Sequence, residues 1–119
     1  MAKILLVDDD VEFGIAFSKI LKSEGHKPAV ALNTAEGLKT LGKEKFDIIF
    51  ADLSMPGENG LVLLEKSKKG FPDIPVVMIT AFGDWDVYAK AIEKGAVKFV
   101  NKPVKKEEIV QIIKDVLAP

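Results

Sequence analysis

Apolar runs of strand length alternate with segments of helical periodicity along the whole chain, and no other feature restricts the fold as strongly. Ile4-Leu5-Leu6-Val7 is continuously apolar, as a strand covered on both faces requires. Pro28 to Leu32 reads as a second strand, and its proline suits a place near a sheet edge. Asp47 to Ala51, Val76 to Ile79 and Val97 to Val100 supply three more. Helical spacing relates Phe13, Ala16, Phe17, Ile20 and Leu21, with Asp10 as N-cap and Gly25 as stop signal. Asn33 followed by Glu36 resembles a capping box opening a short helix with Leu38 and Leu41 inward. Leu61, Leu64 and Lys68 trace a third helix ending near Gly70. In the fourth, capped by Asp84, Val87, Tyr88, Ala91 and Ile92 form one face. Ile109, Ile112, Ile113 and Val116 form the buried stripe of the last.

This order implies an α/β fold, a doubly wound five-stranded parallel sheet in three α/β/α layers, and a single domain over residues 1–119. Composition narrows the function. Hydrophobic residues make up 48% of the chain, enough for a substantial core, and the net charge of −1 carries no footprint for nucleic acid. The basic residues are all lysine, which argues against phosphate clamping by arginine forks. The absence of cysteine excludes disulfides and thiolate metal sites. No apolar run reaches membrane-spanning length and the N-terminus lacks a signal-peptide pattern, so a cytoplasmic chain without a membrane partner is expected.

Ligands of open α/β sheets gather at the carboxyl ends of the strands, beside a topological switch point. Asp8, Asp9 and Asp10 follow the first strand, Asp52 the third, Thr80 the fourth, and Asn101-Lys102-Pro103 the fifth. Taken singly, Asp10 is a helix cap, Asp52 a turn residue, Lys102 a surface lysine and Thr80 an ordinary β-branched strand residue. Together, each at the end of its own strand, they form a pattern hard to attribute to chance. Counting Asp8, Asp9 and Asp52 as −3 and Lys102 as +1 leaves −2 on one rim. A divalent cation would balance that count, and oxygen-only ligands favour Mg²⁺ or Ca²⁺. A Mg²⁺ that retains waters leaves positions for a phosphate oxygen, and a neighbouring carboxylate can attack phosphorus in line to give an acyl phosphate.

At this point the chain resembles the receiver domain of two-component response regulators, of chemotaxis and nitrogen-regulation type, from about Lys3 to Leu117. The resemblance rests on Leu5-Leu6-Val7-Asp8-Asp9, Asp47-Ile48-Ile49-Phe50-Ala51-Asp52-Leu53-Ser54-Met55-Pro56, Val77-Met78-Ile79-Thr80-Ala81 and Phe99-Val100-Asn101-Lys102-Pro103, in that order and spacing. It implies the flavodoxin-like strand order 2-1-3-4-5 and phosphorylation of Asp52 by a sensor histidine kinase. It implies Mg²⁺ held by Asp9, by Asp8 directly or through water, by Asp52, and by the backbone carbonyl of Ser54. Thr80 and Lys102 would contact the phosphoryl group, small Ala81 would leave it accessible, and Lys102-Pro103 would carry a cis peptide. Thr80 and Phe99 would form the switch, read out on a face made by the fourth helix, fifth strand and fifth helix. The resemblance also implies that Ser54 and Phe82, two residues after Asp52 and Thr80, stand where the family tunes phosphate lifetime, without fixing a rate. A downstream protein or output domain is the implied partner, with homodimer formation left open and no direct nucleic-acid contact.

Such a chain is a phosphoacceptor rather than a turnover enzyme, although it assists its own phosphorylation and dephosphorylation. Three other readings compete. A haloacid-dehalogenase-like Mg²⁺ phosphotransferase would carry Asp-x-Asp-x-Thr or Val on its first strand, where this chain has Glu12 in the fifth place and lacks a cap domain. A nucleotide or FMN module would need a glycine-rich loop in place of three acids. A receiver-fold interaction module without phosphorylation would not need the full acidic and lysine set. His26, the sole histidine, is expected to be solvated in a turn, and Trp85 offers a fluorescence reporter near the switch.

Overall fold

The computed structural model describes residues 1–53, 60–81 and 85–118, with no side-chain description of residues 85 and 86. Ser54, Phe82, the Asp84 cap and the Trp85 side chain lie outside the described residues.

The chain runs β1 (Lys3–Val7), α1 (Val11–Ser23), β2 (Lys27–Ala31), α2 (Thr34–Lys43), β3 (Ile48–Asp52), α3 (Gly60–Gly70), β4 (Val76–Thr80), α4 (Trp85–Glu93), β5 (Lys98–Asn101) and α5 (Lys106–Leu117). Every strand pairing is parallel and the order is β2-β1-β3-β4-β5, so the chain reverses its winding between β1 and β3. β3 and β4 are buried at every position, and β2, which contains Pro28, is an edge strand. Asp52, Thr80 and Asn101 are the last residues of their strands rather than the first residues beyond them, a shift of one position from the sequence expectation.

The uninterrupted apolar strands divide their side chains between two cores, because successive residues point to opposite faces. Ile4, Leu6, Ile48, Phe50, Val77, Ile79 and Val100 meet Phe17 and Leu21 of α1 and Ile109 and Ile113 of α5. Leu5, Val7, Ile49, Ala51, Val76 and Met78 meet Leu41 of α2, Leu63 and Leu64 of α3 and Ala91 of α4. Phe17 stands edge-on to Phe50 with ring centroids 5.0 Å apart.

Two expected helix faces need correction. On α1, Ala16 is exposed and Gly14 is buried in its place, 3.3 Å from Val30 were a Cβ present. On α4, only Ala91 of the expected stripe is buried, while Tyr88 and Ile92 are 40% and 47% exposed. The hydrophobic period located α4 but not how little of it the sheet covers.

Gly60, the first residue of α3, is where a side chain is excluded. A Cβ there would lie 2.4 Å from the Asp52 carbonyl oxygen and 2.8 Å from Met78 Cε. The backbone oxygen cannot rotate away, so the helix would have to move off the end of β3. Gly60→Ala is expected to lower stability by about 1–3 kcal/mol, read as a reduced urea midpoint with an unchanged slope.

Candidate functional site

The parallel ladder continues one residue beyond β1, β3 and β5. The Asp8 N–H donates to Ala31 O at 3.0 Å, the Leu53 N–H to Ile79 O at 2.9 Å and the Lys102 N–H to Thr80 O at 2.8 Å. These bonds fix the backbone at the carboxyl ends of the strands. Side-chain alternation continues through them, so Asp8, Asp52 and Lys102 share the parity of Leu6, Phe50 and Val100, on the face covered by α1 and α5. Thr80 has the parity of Met78, whose core Phe99 packs against on the opposite face.

Asp8 is fully buried and Asp52 is 4% exposed, whereas Asp9 and Asp10 face solvent. Asp8, Asp9 and Asp52 each offer a carboxylate oxygen within 4.8 Å of the other two. Lys102 reaches across from β5: its Nζ is 2.9 Å from Asp8 Oδ2 and 3.6 Å from Asp52 Oδ2, with its side chain 20% exposed. The Lys102-Pro103 peptide is cis, as the resemblance implied. Burial is the largest influence on Lys102 and favours the neutral amine. The close contact with Asp8 and the charges of Asp52, Asp8 and Asp10 together outweigh it and hold the ammonium above its usual range. With the folded value raised, the stabilisation is complete below the ordinary lysine range and is lost as pH rises through the folded value. Lys102 is therefore charged throughout the neutral range.

One ammonium does not neutralise three carboxylates. Asp8 Oδ1 accepts from the Asp10 N–H at 2.9 Å, but among the described residues Oδ2 receives only the ion pair and no aligned hydrogen bond. A buried carboxylate oxygen left in that state is costly unless a further cation is at hand. An all-oxygen donor set with two buried members and one solvent-facing member suits a hard cation that retains water, so the residues fit Mg²⁺.

The structure brings Asp8, Asp9, Asp52 and Lys102 together and ends β4 at Thr80, which is 9% exposed. Phe99 is half-buried and packs on Tyr88, with ring centroids 4.1 Å apart. Ala81 is exposed. His26 departs from expectation: it is half-buried, and its Nδ1 accepts from the Ala2 N–H at 3.0 Å, which ties it to the start of β1 and not to the rim. Sequence reasoning missed two contributors. Gly60 admits α3 against the Asp52 carbonyl, a contact no local pattern reveals. Phe13, read as a core residue of α1, places its ring 4.4 Å from Lys102 Nζ, a cation–π contact of about 0.5–2 kcal/mol.

A family model of the response regulator receiver domain matches residues 4–114. The chain is 37% identical over 116 residues to transcriptional regulatory protein GlrR of Escherichia coli (strain K12), covering 98% of this chain and 26% of that protein. It thus spans about a quarter of the length of that relative. It is 31% identical over 115 residues to sporulation initiation phosphotransferase F of Bacillus subtilis (strain 168), covering 97% of this chain and 93% of that one. Among solved structures, a CheY-like receiver domain protein from Methanospirillum hungatei JF-1 superposes with a TM-score of 0.93 at 30% identity, covering 97% and 92% of the two chains. NtrX from Brucella abortus gives 0.91 at 33%, covering 98% of this chain and 27% of its own. The sequence match over nearly the whole chain and the shared architecture agree, and the chain belongs to the receiver domains of two-component response regulators.

Proposed function

We propose that this receiver domain accepts a phosphoryl group on Asp52 from a sensor histidine kinase. The observation that carries the reading is the pairing of two nearly inaccessible carboxylates, Asp8 and Asp52, with a single shared ammonium. In the proposed step an Asp52 carboxylate oxygen forms a bond to phosphorus as the bond from phosphorus to the donor breaks. The bonding pair leaves with the donor, and the product is an acyl phosphate. Lys102 holds one phosphoryl oxygen, and the Thr80 hydroxyl donates to another. Mg²⁺ bound by Asp8, Asp9, Asp52 and the Ser54 carbonyl would supply the remaining positive charge. The reaction is a stoichiometric switch rather than turnover of a substrate.

The readout follows from Thr80 and Phe99. Drawing the Thr80 hydroxyl toward the phosphoryl group frees space for the Phe99 ring, which now rests on Tyr88. Phosphorylation thereby shifts the population of arrangements on the α4–β5–α5 face, available to a downstream protein or an output domain. A cytoplasmic location suits a domain whose donor and target are both signalling proteins. No helix among the described residues is long and apolar enough to cross a membrane.

Delivery to so enclosed a carboxylate needs a donor seated at the rim. Val11 and Ile15 of α1 are 57% and 54% exposed, Leu32 is 42% exposed, and the groove they line begins one residue beyond Asp10. Such apolar exposure beside a reaction site suits the face of a protein donor.

Three outcomes test this reading. After treatment with Mg²⁺ and a small phosphodonor, intact mass should show one added phosphoryl group mapping to Asp52. Asp52→Asn should remain unlabelled, and an unlabelled wild type would favour a constitutive interaction module. Asp9→Asn relieves repulsion within the acidic cluster, so it should stabilise the metal-free chain by about 1 kcal/mol while abolishing the rise in Tm that Mg²⁺ gives wild type. Ile15→Ala should slow transfer from a kinase about fivefold or more and leave labelling by the small donor unchanged.

A further inference from the structure

Four residues at the rim close a ring of contacts. Asp8 Oδ1 accepts from the Asp10 N–H at 2.9 Å, and Asp10 Oδ1 accepts from the Phe13 N–H at 3.0 Å as the N-cap of α1. The Phe13 ring lies 4.4 Å from Lys102 Nζ, which returns to Asp8 Oδ2 at 2.9 Å. The ring is braced from behind, since Phe13 stacks on Phe17 at 5.7 Å and Phe17 stands edge-on to the fully buried Phe50 at 5.0 Å. The N-cap thus fixes the backbone of the residue whose side chain covers the lysine, and the core fixes its ring.

Among the described residues, Asp8, Asp52 and the Phe13 ring contact the ammonium, and of these only the ring keeps its chemistry when the site is used. Asp8 and Asp52 are the carboxylates ion-paired to Lys102, and Asp52 is the group that would be phosphorylated. Both would loosen their hold on Lys102 as their charge is shared or converted. The ring quadrupole is unaffected by either event.

From this geometry we propose that Phe13 is a positioning residue: its ring holds the Lys102 ammonium at the rim while its ionic partners change, so that it faces the phosphoryl oxygens without a search. The proposal rests on the reading of Lys102 as a phosphoryl ligand. Removing the ring should weaken the phosphorylated state and leave the acidic cluster itself intact.

The contact is testable before any ligand is added. In wild type the Lys102 ε-methylene protons should be shifted upfield by the ring current, and in Phe13→Leu they should return to ordinary lysine positions. With Mg²⁺ saturating and beryllofluoride as phosphoryl mimic, Phe13→Leu should bind the mimic roughly two- to tenfold more weakly, while its Mg²⁺ affinity matches wild type. Phe13→Tyr, which keeps the ring, should restore mimic binding. In a Lys102→Gln background, Phe13→Leu should have no further effect. An equal loss in that background would assign Phe13 a packing role and overturn the proposal, as would absence of the upfield shift or undiminished mimic binding by Phe13→Leu. Should Phe13→Leu fold poorly, Phe13→Met gives the same comparison with a flexible apolar chain. A wild type that shows the upfield shift yet ignores the mimic would sink the phosphoacceptor reading instead, and with it the role assigned to the ring.

Discussion

The Asp8 carboxylate sits at the end of the sheet with no exposed surface and takes its compensating charge from Lys102, which arrives from the far side of β3 and β4. A buried charge of this kind persists only where a partner is held in place by the rest of the fold. Here the partner is shared, because the same ammonium lies 3.6 Å from Asp52. One ammonium leaves the carboxylate cluster short of positive charge, and that shortage is the ground for proposing that it takes a divalent cation and a phosphoryl group.

The sheet converts this shortage into a located site. Reversal of winding between β1 and β3 opens a crevice where Asp8 and Asp52 emerge side by side, in a register that pairs Val7 with Ala51. Pleat alternation then sorts the strand ends between the two faces. The charged set falls on the side of α1 and α5, where Phe13 meets Lys102, while Thr80 and Phe99 fall on the side of α4. The residues proposed for the chemistry and those proposed for the readout thus lie on opposite faces of one sheet and meet at its edge. The α4 helix leaves Tyr88 and Ile92 exposed, so few of its described side chains hold it in one arrangement.

Much of this was legible in the residues. Apolar runs such as Val76 to Ile79 could only be strands buried on both faces, and the polar residue closing each run gave the rim. Asp10 and Asn33 were readable as caps because an N-cap is a local device, and both accept the N–H three residues on. Long-range geometry was not readable. Nothing near Gly60 in the sequence records that Asp52 O lies against it, and nothing near Phe13 records that Lys102, 89 positions later, lies against its ring. The exposed half of α4 escaped for a related reason: periodicity says which residues share a face, not whether anything covers it. His26 was misjudged because its partner, the Ala2 N–H, comes from the residue before β1, 24 positions away.

In the proposed function the carboxylate cluster at the carboxyl ends of the strands grips a hard divalent ion. Substoichiometric Mn²⁺, a paramagnetic oxygen-preferring cation, tests it directly through the amide spectrum. Binding at the cluster should selectively broaden Asp8, Asp9, Asp52 and Leu53, reversed by excess Mg²⁺, with His26 and Leu117 at the opposite end of the sheet left sharp. Uniform broadening, or broadening centred away from those carboxylates, would contradict it.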